Sequence, residues 1–388
     1  MRKINKKGGK PILSVGVTAS LISIGAGLVL GLALLLALDP SHAFSGFGRI
    51  LFTGFSASDK LAKVLYQAAP LIMTGLSVGF AFKTGLFNIG ATGQYTIGAF
   101  CALTCAIQFQ LPWYVCLLIA MLGGAIWGLF PGLFKALFNV NEVITSIMFN
   151  WLSVFFVNLM ISNMPMMLAK YWGAAQMDRT ADLHTANPSA MIPKLGLDKL
   201  FGSNYMNISI FIAIVFALLI WVVLNKTTFG YELKACGYNR NASIYAGINA
   251  KRNIVLSMVI AGALSGVAGG LYYLAGTGQY VLLKSLLAMG FNGIPVALLA
   301  ASHPIGTIFS GLFVSYIQVG GDAMQPEFVR EIIDIIISVI IYLSAFSLLM
   351  RELLSRRKAN PPGNISGESL PAAQAAPPAQ TNHTESEE

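Results

Sequence analysis

The sequence predicts an all-α, polytopic membrane protein, and three observations support this fold class. Of its 388 residues, 55% are hydrophobic and 11% are charged, whereas a soluble domain carries about 25% charged residues. The apolar residues form runs close to the ~20 residues with which a helix crosses a bilayer. These runs do not alternate apolar and polar residues, as the roughly 10-residue strands of a transmembrane barrel do.

Taken in chain order, the apolar runs predict about ten transmembrane helices. They cover residues 12–38, 61–82, 91–110, 112–134, 141–162, 206–225, 252–275, 286–302, 304–320 and 329–349. The first run follows basic residues, as in a signal peptide. It exceeds the roughly 7–15 apolar residues of a signal core, so we expect a retained helix. The runs 91–110 and 286–302 barely reach spanning length.

Polar segments set the limits of a transmembrane domain at residues 12–350. A basic cytoplasmic N-terminus covers residues 1–11, and a cytoplasmic tail covers residues 351–388. The tail is rich in Pro, Ala, Ser, Asn and Gln, so we expect it to be disordered. Inside the transmembrane domain, residues 163–205 are predicted to form a long outer loop and residues 226–251 a cytoplasmic loop.

The basic residues predict the orientation in the membrane. If the N-terminus is inside, most of the 25 lysines and arginines fall on the inner side, which is the bias of cytoplasmic loops. We therefore expect a multi-pass protein of the plasma membrane, surrounded by lipid, with both termini in the cytoplasm. This bias explains the net charge of +9 without nucleic acid as a partner.

A glycine-rich segment, GLFNIGATGQ at residues 85–94, interrupts two apolar runs. Irregular backbone at membrane depth is tolerated only where it is buried in protein or lines a cavity, and short interrupted segments are typical of transport sites. The segment therefore predicts a substrate path, with an ordinary cytoplasmic turn after Lys83 as the alternative. The candidate path residues are Phe87, Asn88, Thr92, Gln94 and Tyr95.

A second interrupted segment, GFNGIP at residues 290–295, repeats the Phe-Asn pair beside glycine as Phe291 and Asn292. Paired broken segments predict two pseudo-repeated halves around one path, so these two residues join the candidates. Alanine at Asn88 or Asn292 is predicted to lower uptake without lowering membrane abundance.

Two polar residues of the fifth span complete the candidate path. Glu142 shares a helix face with Thr145 and Ser146, and Asn150 follows in the same span. An acid at a helix start also suits the helix dipole, so a capping role for Glu142 is the alternative. Elsewhere, glycines four residues apart predict close helix packing. They are Gly124, Gly128 and Gly132, and then Gly262, Gly266 and Gly270.

The sequence offers no signal for catalysis or for metal binding. None of its four cysteines has a histidine at metal-ligand spacing, and we interpret them as apolar fillers. The Gly9-Lys10 pair is followed by Pro11, which excludes a Walker A loop. The sequence predicts a transport subunit without a cofactor, not an enzyme. If transport uses ATP, the ATP binds to a partner.

Five motifs in order carry a resemblance to a known family. They are GLFNIGATGQYTIGAF at 85–100, NEVITSIMFNW at 141–151, GYELKACGYNRNASIYAGINAKR at 230–252, IAGALSGVAGG at 260–270 and GFNGIPVALLA at 290–300. Together they resemble the permeases of bacterial ABC importers for ribose, simple sugars and nucleosides, within the branched-chain-type permease superfamily. Asn-Glu at the fifth span and Phe-Asn-Gly near 291 are most similar to the nucleoside-uptake branch.

This resemblance implies partners. They are a cytoplasmic ABC ATPase that binds the ATP, a second homologous permease, identical or different, and an extracytoplasmic substrate-binding lipoprotein. It also implies that the loop at 230–250 holds a coupling helix that docks on the ATPase. The matching residues are Glu232, Lys234, Gly237, Tyr238, Asn239, Arg240, Tyr245, Ala246 and Gly247. Asn241 stands where family members often carry proline, which loosens the expected start of that helix.

The resemblance implies nucleosides as the cargo. The residues themselves indicate a polar, uncharged cargo, because amide and hydroxyl side chains can bond ribose or base edges and aromatic side chains can pack on a base. A ribose-like simple sugar is the alternative in the same class. An ion-coupled secondary transporter, from another class, predicts transport by this chain alone and a carboxylate on the path, for which only Glu142 and Asp334 are candidates. The lack of a catalytic cluster disfavours a membrane enzyme.

Overall fold

The computed structural model describes residues 15–325 and 327–345. The predicted N-terminal segment, residues 1–11, and the predicted tail, residues 351–388, lie outside the described residues. Within the described part, the chain is helical and forms no named strand, only two isolated β-bridges. The all-α class predicted from the sequence is confirmed.

Sixteen α-helices follow one another along the described chain. They are α1 Val15–Leu38, α2 Ala43–Ser56, α3 Ser58–Lys83, α4 Ala91–Ile107, α5 Trp113–Phe138, α6 Glu142–Ser162, α7 Leu183–Ala186, α8 Leu197–Phe201, α9 Ser209–Lys226, α10 Thr228–Tyr238, α11 Arg240–Tyr245, α12 Ala250–Tyr273, α13 Ala288–Phe291, α14 Gly293–Leu299, α15 Gly306–Asp322 and α16 Arg330–Ala345. Five of them, α3, α5, α6, α9 and α12, are long and apolar enough to cross a membrane. The chain is therefore a multi-pass membrane protein, while the count of ten spans and the two repeated halves stay predictions.

Helix α2 is an element that the sequence analysis missed. It has 14 residues, so a search for runs of ~20 apolar residues passes over it. It buries Ile50 and Gly54 and exposes Phe44, Phe52 and Phe55. Its Arg49 pairs with Glu327, ahead of α16, with Nη2 and Oε1 2.5 Å apart.

The predicted span at residues 286–302 is interrupted in the structure. The segment forms two short helices, α13 and α14, with Asn292 between them. Gly290 and Gly293 weaken helical structure on either side of this residue. Pro295 lacks the N–H that a continuing helix would need. The break predicted from the Gly-Phe-Asn-Gly sequence is therefore present, and it separates two helices rather than bending one.

The core is built on α12, which packs against α3, α4 and α5. Helices α5 and α12 meet at glycines, since a Cβ on Gly124 would overlap the carbonyl oxygen of Gly262, and the reverse is also true. Small residues let two helix backbones approach this closely. The close packing predicted from the glycine spacing is confirmed for this helix pair.

Contacts between distant segments define two ends of the helix bundle. At the α10–α11 end, the Lys135 ammonium at the end of α5 pairs with Glu142 at the start of α6, 2.9 Å apart. At the opposite end, residues 163–205 fold onto the bundle rather than forming an open loop. There the Asn187 amide donates to the Ala106 carbonyl at 2.8 Å, and the Ile192 N–H donates to the Leu274 carbonyl at 2.9 Å.

Candidate substrate path and coupling surface

The chain between α3 and α4 turns back into the bundle before α4 begins. Gly85 has a φ of 73°, in the left-handed region that favours glycine. The Asn88 amide then donates to the Ser77 hydroxyl of α3 at 3.0 Å, well inside that helix. Helix α4 therefore starts within the protein. Its irregular approach is buried rather than exposed as an ordinary surface turn.

Asn88 and Gln94 form a reciprocal amide pair across this segment. The Asn88 Nδ2 donates to Gln94 Oε1 at 2.8 Å, and the Gln94 Nε2 donates to Asn88 Oδ1 at 3.1 Å. Both side chains are buried, and Ser77 extends the network by accepting from the Ser265 hydroxyl of α12 at 2.9 Å. The pair ties the broken segment to itself, to α3 and to α12.

Asn150 fastens the same segment to α6. Its Oδ1 accepts from the Gly93 N–H at 2.8 Å, and its Nδ2 donates to the Ile89 carbonyl at 3.0 Å. These are backbone groups that the broken helix leaves without helical partners. One buried side chain of α6 thus satisfies two of them.

The two broken segments meet each other inside the bundle. A Cβ on Gly290 would overlap the Cα of Thr92, and a Cβ on Gly293 would lie 2.7 Å from the carbonyl carbon of Thr74. Only glycine allows these approaches. Helix α13 therefore packs closely against the start of α4, and α14 packs closely against the middle of α3.

A cavity of about 970 Å³ lies beside this junction, and Tyr95 and Asn292 line it. It extends toward the end that carries residues 163–205, where Asp322 on its wall pairs with Lys63, 2.9 Å apart. Ligand pockets in proteins have volumes of about 300–1,000 Å³. The space is therefore large enough for a small organic molecule.

One wall of the cavity is aromatic and well supported. Tyr95, Tyr272 and Tyr273 line it, and the rings of Tyr272 and Tyr273 are nearly perpendicular with centroids 5.0 Å apart. Behind them, Tyr66 stacks on Tyr272 at 5.6 Å and donates its hydroxyl to the Tyr272 carbonyl at 3.1 Å. These contacts hold the tyrosine rings in place before any ligand arrives.

The rest of the lining supplies polar groups from three helices. Gln67 of α3 and Gln318 of α15 line the cavity together with Asp322, and α16 adds Asp334 and Ser338. Among the described residues, no group of three His, Cys, Asp or Glu side chains is arranged to hold a metal ion. The cavity can therefore offer ring stacking, amide hydrogen bonds and carboxylate acceptors to a ligand.

The predicted path residues fall into two groups. Tyr95 and Asn292 face the cavity, whereas Asn88, Thr92, Gln94 and Asn150 are buried beside it. In the second group, the side-chain amides of Asn88, Gln94 and Asn150 hold the broken segment together, and Thr92 packs directly against Gly290. Whether any of these residues contacts the cargo stays a prediction.

Three other candidates make local contacts away from the cavity lining. Phe87 stacks on Phe82 with ring centroids 5.2 Å apart, and Phe291 is half-buried in α13. Glu142 is held by its ion pair with Lys135, and the helix start is capped by Asn141, which accepts from the Val143 N–H at 2.8 Å. The geometry at Glu142 fits the capping alternative, and its path role stays a prediction.

The sequence analysis missed most of the polar and aromatic lining. Gln67 was a detectable signal, because it is a lone amide inside the predicted span 61–82. The Tyr272-Tyr273 pair at the end of α12 was another. What the sequence did not show is that α3, α12 and α15 bring them to one cavity.

Helices α10 and α11 form an exposed surface at the α10–α11 end. Tyr238 and Tyr245 are 90% and 93% exposed, and a shallow groove of about 640 Å³ runs between the two helices. Asn239 caps α11 by accepting from the Ala242 N–H at 3.0 Å. Helix α11 therefore has a capped start, although Asn241 stands where the sequence resemblance leads one to expect proline.

Gly237 joins this surface to the first broken segment. A Cβ on Gly237 would lie 2.5 Å from the Lys83 carbonyl oxygen and 3.0 Å from the Gly85 nitrogen. The end of α10 therefore rests directly on the backbone that leads into Asn88. A displacement of α10 must move this backbone or break the contact.

Comparison with known proteins places these features in a family. Residues 60–345 match the family described as branched-chain amino acid transport system / permease component. The chain is 34% identical to the guanosine ABC transporter permease protein NupP of Bacillus subtilis, over 87% of this chain and 95% of that protein. It is also 34% identical to the nucleoside ABC transporter permease protein NupB of Lactococcus lactis, over 88% and 94%.

A third relative carries a different cargo in its name. The chain is 30% identical to the glucose ABC transporter permease protein TsgB13 of Haloferax volcanii, over 87% of this chain and 88% of that protein. No solved structure matches the chain. The family match covers the chain from α3 to α16, with both broken segments and the α10–α11 surface, and the resemblance seen in the sequence is confirmed. The chain belongs to the family of branched-chain amino acid transport system permease components.

Proposed function

We propose that this chain is the membrane-spanning permease subunit of an ABC importer that carries nucleosides across the bacterial plasma membrane. The observation that carries the proposal is the cavity, with tyrosine faces on one side and amide and carboxylate groups on another. A nucleoside has the matching halves, a flat base and a polyhydroxylated ribose. The similarity to permeases named for guanosine and nucleosides supports the same cargo.

In this proposal, the cargo enters from the end that carries residues 163–205 and meets Tyr95 and Asn292. The two broken segments lie beside the cavity, and their movement opens the way onward. Asn88, Thr92, Gln94 and Asn150 hold these segments in register. Phe87, Phe291 and Glu142 border them and contact the cargo only when the segments move.

The energy comes from partners rather than from this chain. A cytoplasmic ABC ATPase docks on α10 and α11 and holds the ATP, and no cofactor binds here. The contact residues are Glu232, Lys234, Gly237, Tyr238, Asn239, Arg240, Tyr245, Ala246 and Gly247. A second homologous permease completes the membrane unit. A substrate-binding lipoprotein delivers cargo at the opposite, outer end, and both termini lie in the cytoplasm.

Competition during uptake tests the cargo. Cells that express the complete importer are given a labelled nucleoside with an excess of unlabelled nucleoside, free base or pentose. We expect nucleosides to abolish labelled uptake and free bases and pentoses to leave most of it. Equal competition by ribose would overturn the nucleoside assignment.

A simple sugar is the second candidate, because a glucose permease is among the relatives and the same polar groups can bind sugar hydroxyls. In the competition assay, a sugar importer is blocked by the pentose or hexose and not by a nucleoside. An ion-coupled transporter is separated by its energy source, because its uptake survives vanadate and ATP depletion.

A further inference from the structure

Helices α3 and α15 run antiparallel along one side of the cavity, and three contacts fix their register. The Lys63 ammonium lies 2.9 Å from Asp322, and the Ser315 hydroxyl donates to the Val64 carbonyl at 2.6 Å. Farther in, Gly311 packs on Ile72. This register aligns the two helices turn by turn, with the ion pair at the rim.

Gln67 and Gln318 lie one helical turn inside this ion pair. Gln67 lies four positions after Lys63 in α3, and Gln318 lies four positions before Asp322 in α15. Each glutamine therefore shares a helix face with its charged neighbour. Both side chains line the cavity. Both primary amides therefore lie on the cavity wall, inside the Lys63–Asp322 contact.

One polar atom of the Gln67 side chain lacks a hydrogen-bond partner among the described residues. Its Oε1 is buried and accepts no hydrogen bond from the described residues. The great majority of buried side-chain polar atoms in proteins have a partner. Gln67 also lines the cavity, so a rotation of its side chain toward the cavity lets a bound ligand supply the missing donor.

The tyrosine wall sets the orientation of such a ligand. Tyr272 and Tyr273 line the cavity, and Tyr66, the residue before Gln67, stacks on Tyr272. A nucleobase that packs on a tyrosine face is held at its faces, so its edge is left for polar groups. A primary amide offers a donor and an acceptor side by side, the same pattern that reads nucleobase edges elsewhere.

We propose that Gln67 and Gln318 are specificity-determining residues that read the base edge of the cargo. The cavity then takes whole nucleosides and discriminates among bases, and it rejects free pentoses because they have no planar edge. This inference rests on the proposed nucleoside function. Loss of one amide changes the preference among bases rather than abolishing transport, because the tyrosine faces and the remaining amide still bind.

The test uses the complete importer in membrane vesicles, with the binding protein saturated by each nucleoside in turn. Maximal uptake rates are measured for adenosine, guanosine and uridine with the wild type, Gln67→Leu and Gln318→Leu. We expect the ratio between two of the nucleosides to change about five- to tenfold in each variant, as loss of one ligand hydrogen bond predicts. The ratio does not depend on how much complex each membrane contains.

Gln108→Leu is the matched control, because Gln108 is exposed at the end of α4 and outside the cavity; its ratios should equal those of the wild type. Gln67→Asn keeps the amide on a shorter side chain, and we expect it to shift the ratios less than Gln67→Leu. If both leucine variants keep wild-type ratios, the base-reading role is wrong. If the wild type transports no nucleoside, the proposed function itself fails, which is a separate result.

Discussion

At the scale of single residues, the buried amides of the first broken segment illustrate what a sequence can and cannot tell. Glycines and amides between two apolar runs predicted an irregular backbone, and the structure shows one inside the helix bundle. The partners were not predictable, because Asn88 bonds Gln94 and Ser77 while Asn150 reaches Ile89 and Gly93 from another helix. Hydrogen bonds between segments depend on how helices pack, which a local pattern does not contain.

These bonds change the expectation for Asn88→Ala. The variant leaves both polar atoms of the buried Gln94 amide without their partner, which costs about 1–3 kcal/mol, so membrane abundance and melting temperature should fall together with uptake. Thermal unfolding of the purified permease in detergent measures the effect. Gln94→Ala should destabilise similarly, and the double variant less than the sum of both. An Asn88→Ala protein that melts with the wild type would show that the pair contributes nothing.

Asn292 keeps the original expectation, because it is half-buried and lines the cavity. Asn292→Ala should lower the uptake rate several-fold while membrane abundance stays at the wild-type level. Immunoblotting of the membranes and labelled uptake from the same cells provide both values. Exposed Gln108 at the end of α4, replaced in the same way, serves as the control. Wild-type uptake by the Asn292 variant would remove this residue from the path.

At the scale of elements, helix packing was easier to predict than helix boundaries. Glycines four residues apart predicted a close contact, and α5 and α12 make it. By contrast, the apolar run at 286–302 did not give the ends of the two short helices α13 and α14, since hydrophobicity alone does not show where the backbone stops being helical. Helix α2 was missed for the opposite reason, because it is too short to look like a span.

Gly124→Ala tests the α5–α12 contact. The added methyl group overlaps the Gly262 backbone, and overpacking of this kind costs about 1–3 kcal/mol. We expect a lower melting temperature of the purified permease. Gly25→Ala in α1 is the control, because a Cβ there meets nothing within 4 Å and alanine favours a helix. Equal melting temperatures for the two variants would contradict the packing account.

Gly237→Ala tests the contact between α10 and the first broken segment. The new Cβ would press on the Lys83 carbonyl oxygen, 2.5 Å away, and push α10 off the backbone before Asn88. We expect ATP hydrolysis by the assembled importer to continue while uptake per ATP falls several-fold. The two rates are measured in the same proteoliposomes. An unchanged ratio of uptake to hydrolysis would mean that this contact does not transmit movement.

At the scale of the whole molecule, composition and run lengths were sufficient for the fold class. The five clear spanning helices lie where the apolar runs placed them. The cavity was not predictable, because its lining comes from residues that are far apart in the sequence, from Gln67 to Tyr342. Motifs located the broken segments correctly, while the tyrosine wall and the two glutamines became visible only when the helices were assembled.

The most direct test of the central claim is nucleoside accumulation by proteoliposomes that contain this permease with its ATPase, second permease and binding protein. We predict uptake that requires ATP on the side of the ATPase, stops with vanadate and is blocked by excess unlabelled nucleoside but not by ribose. Uptake that continues without ATP, or that follows ribose instead of nucleosides, would contradict the account.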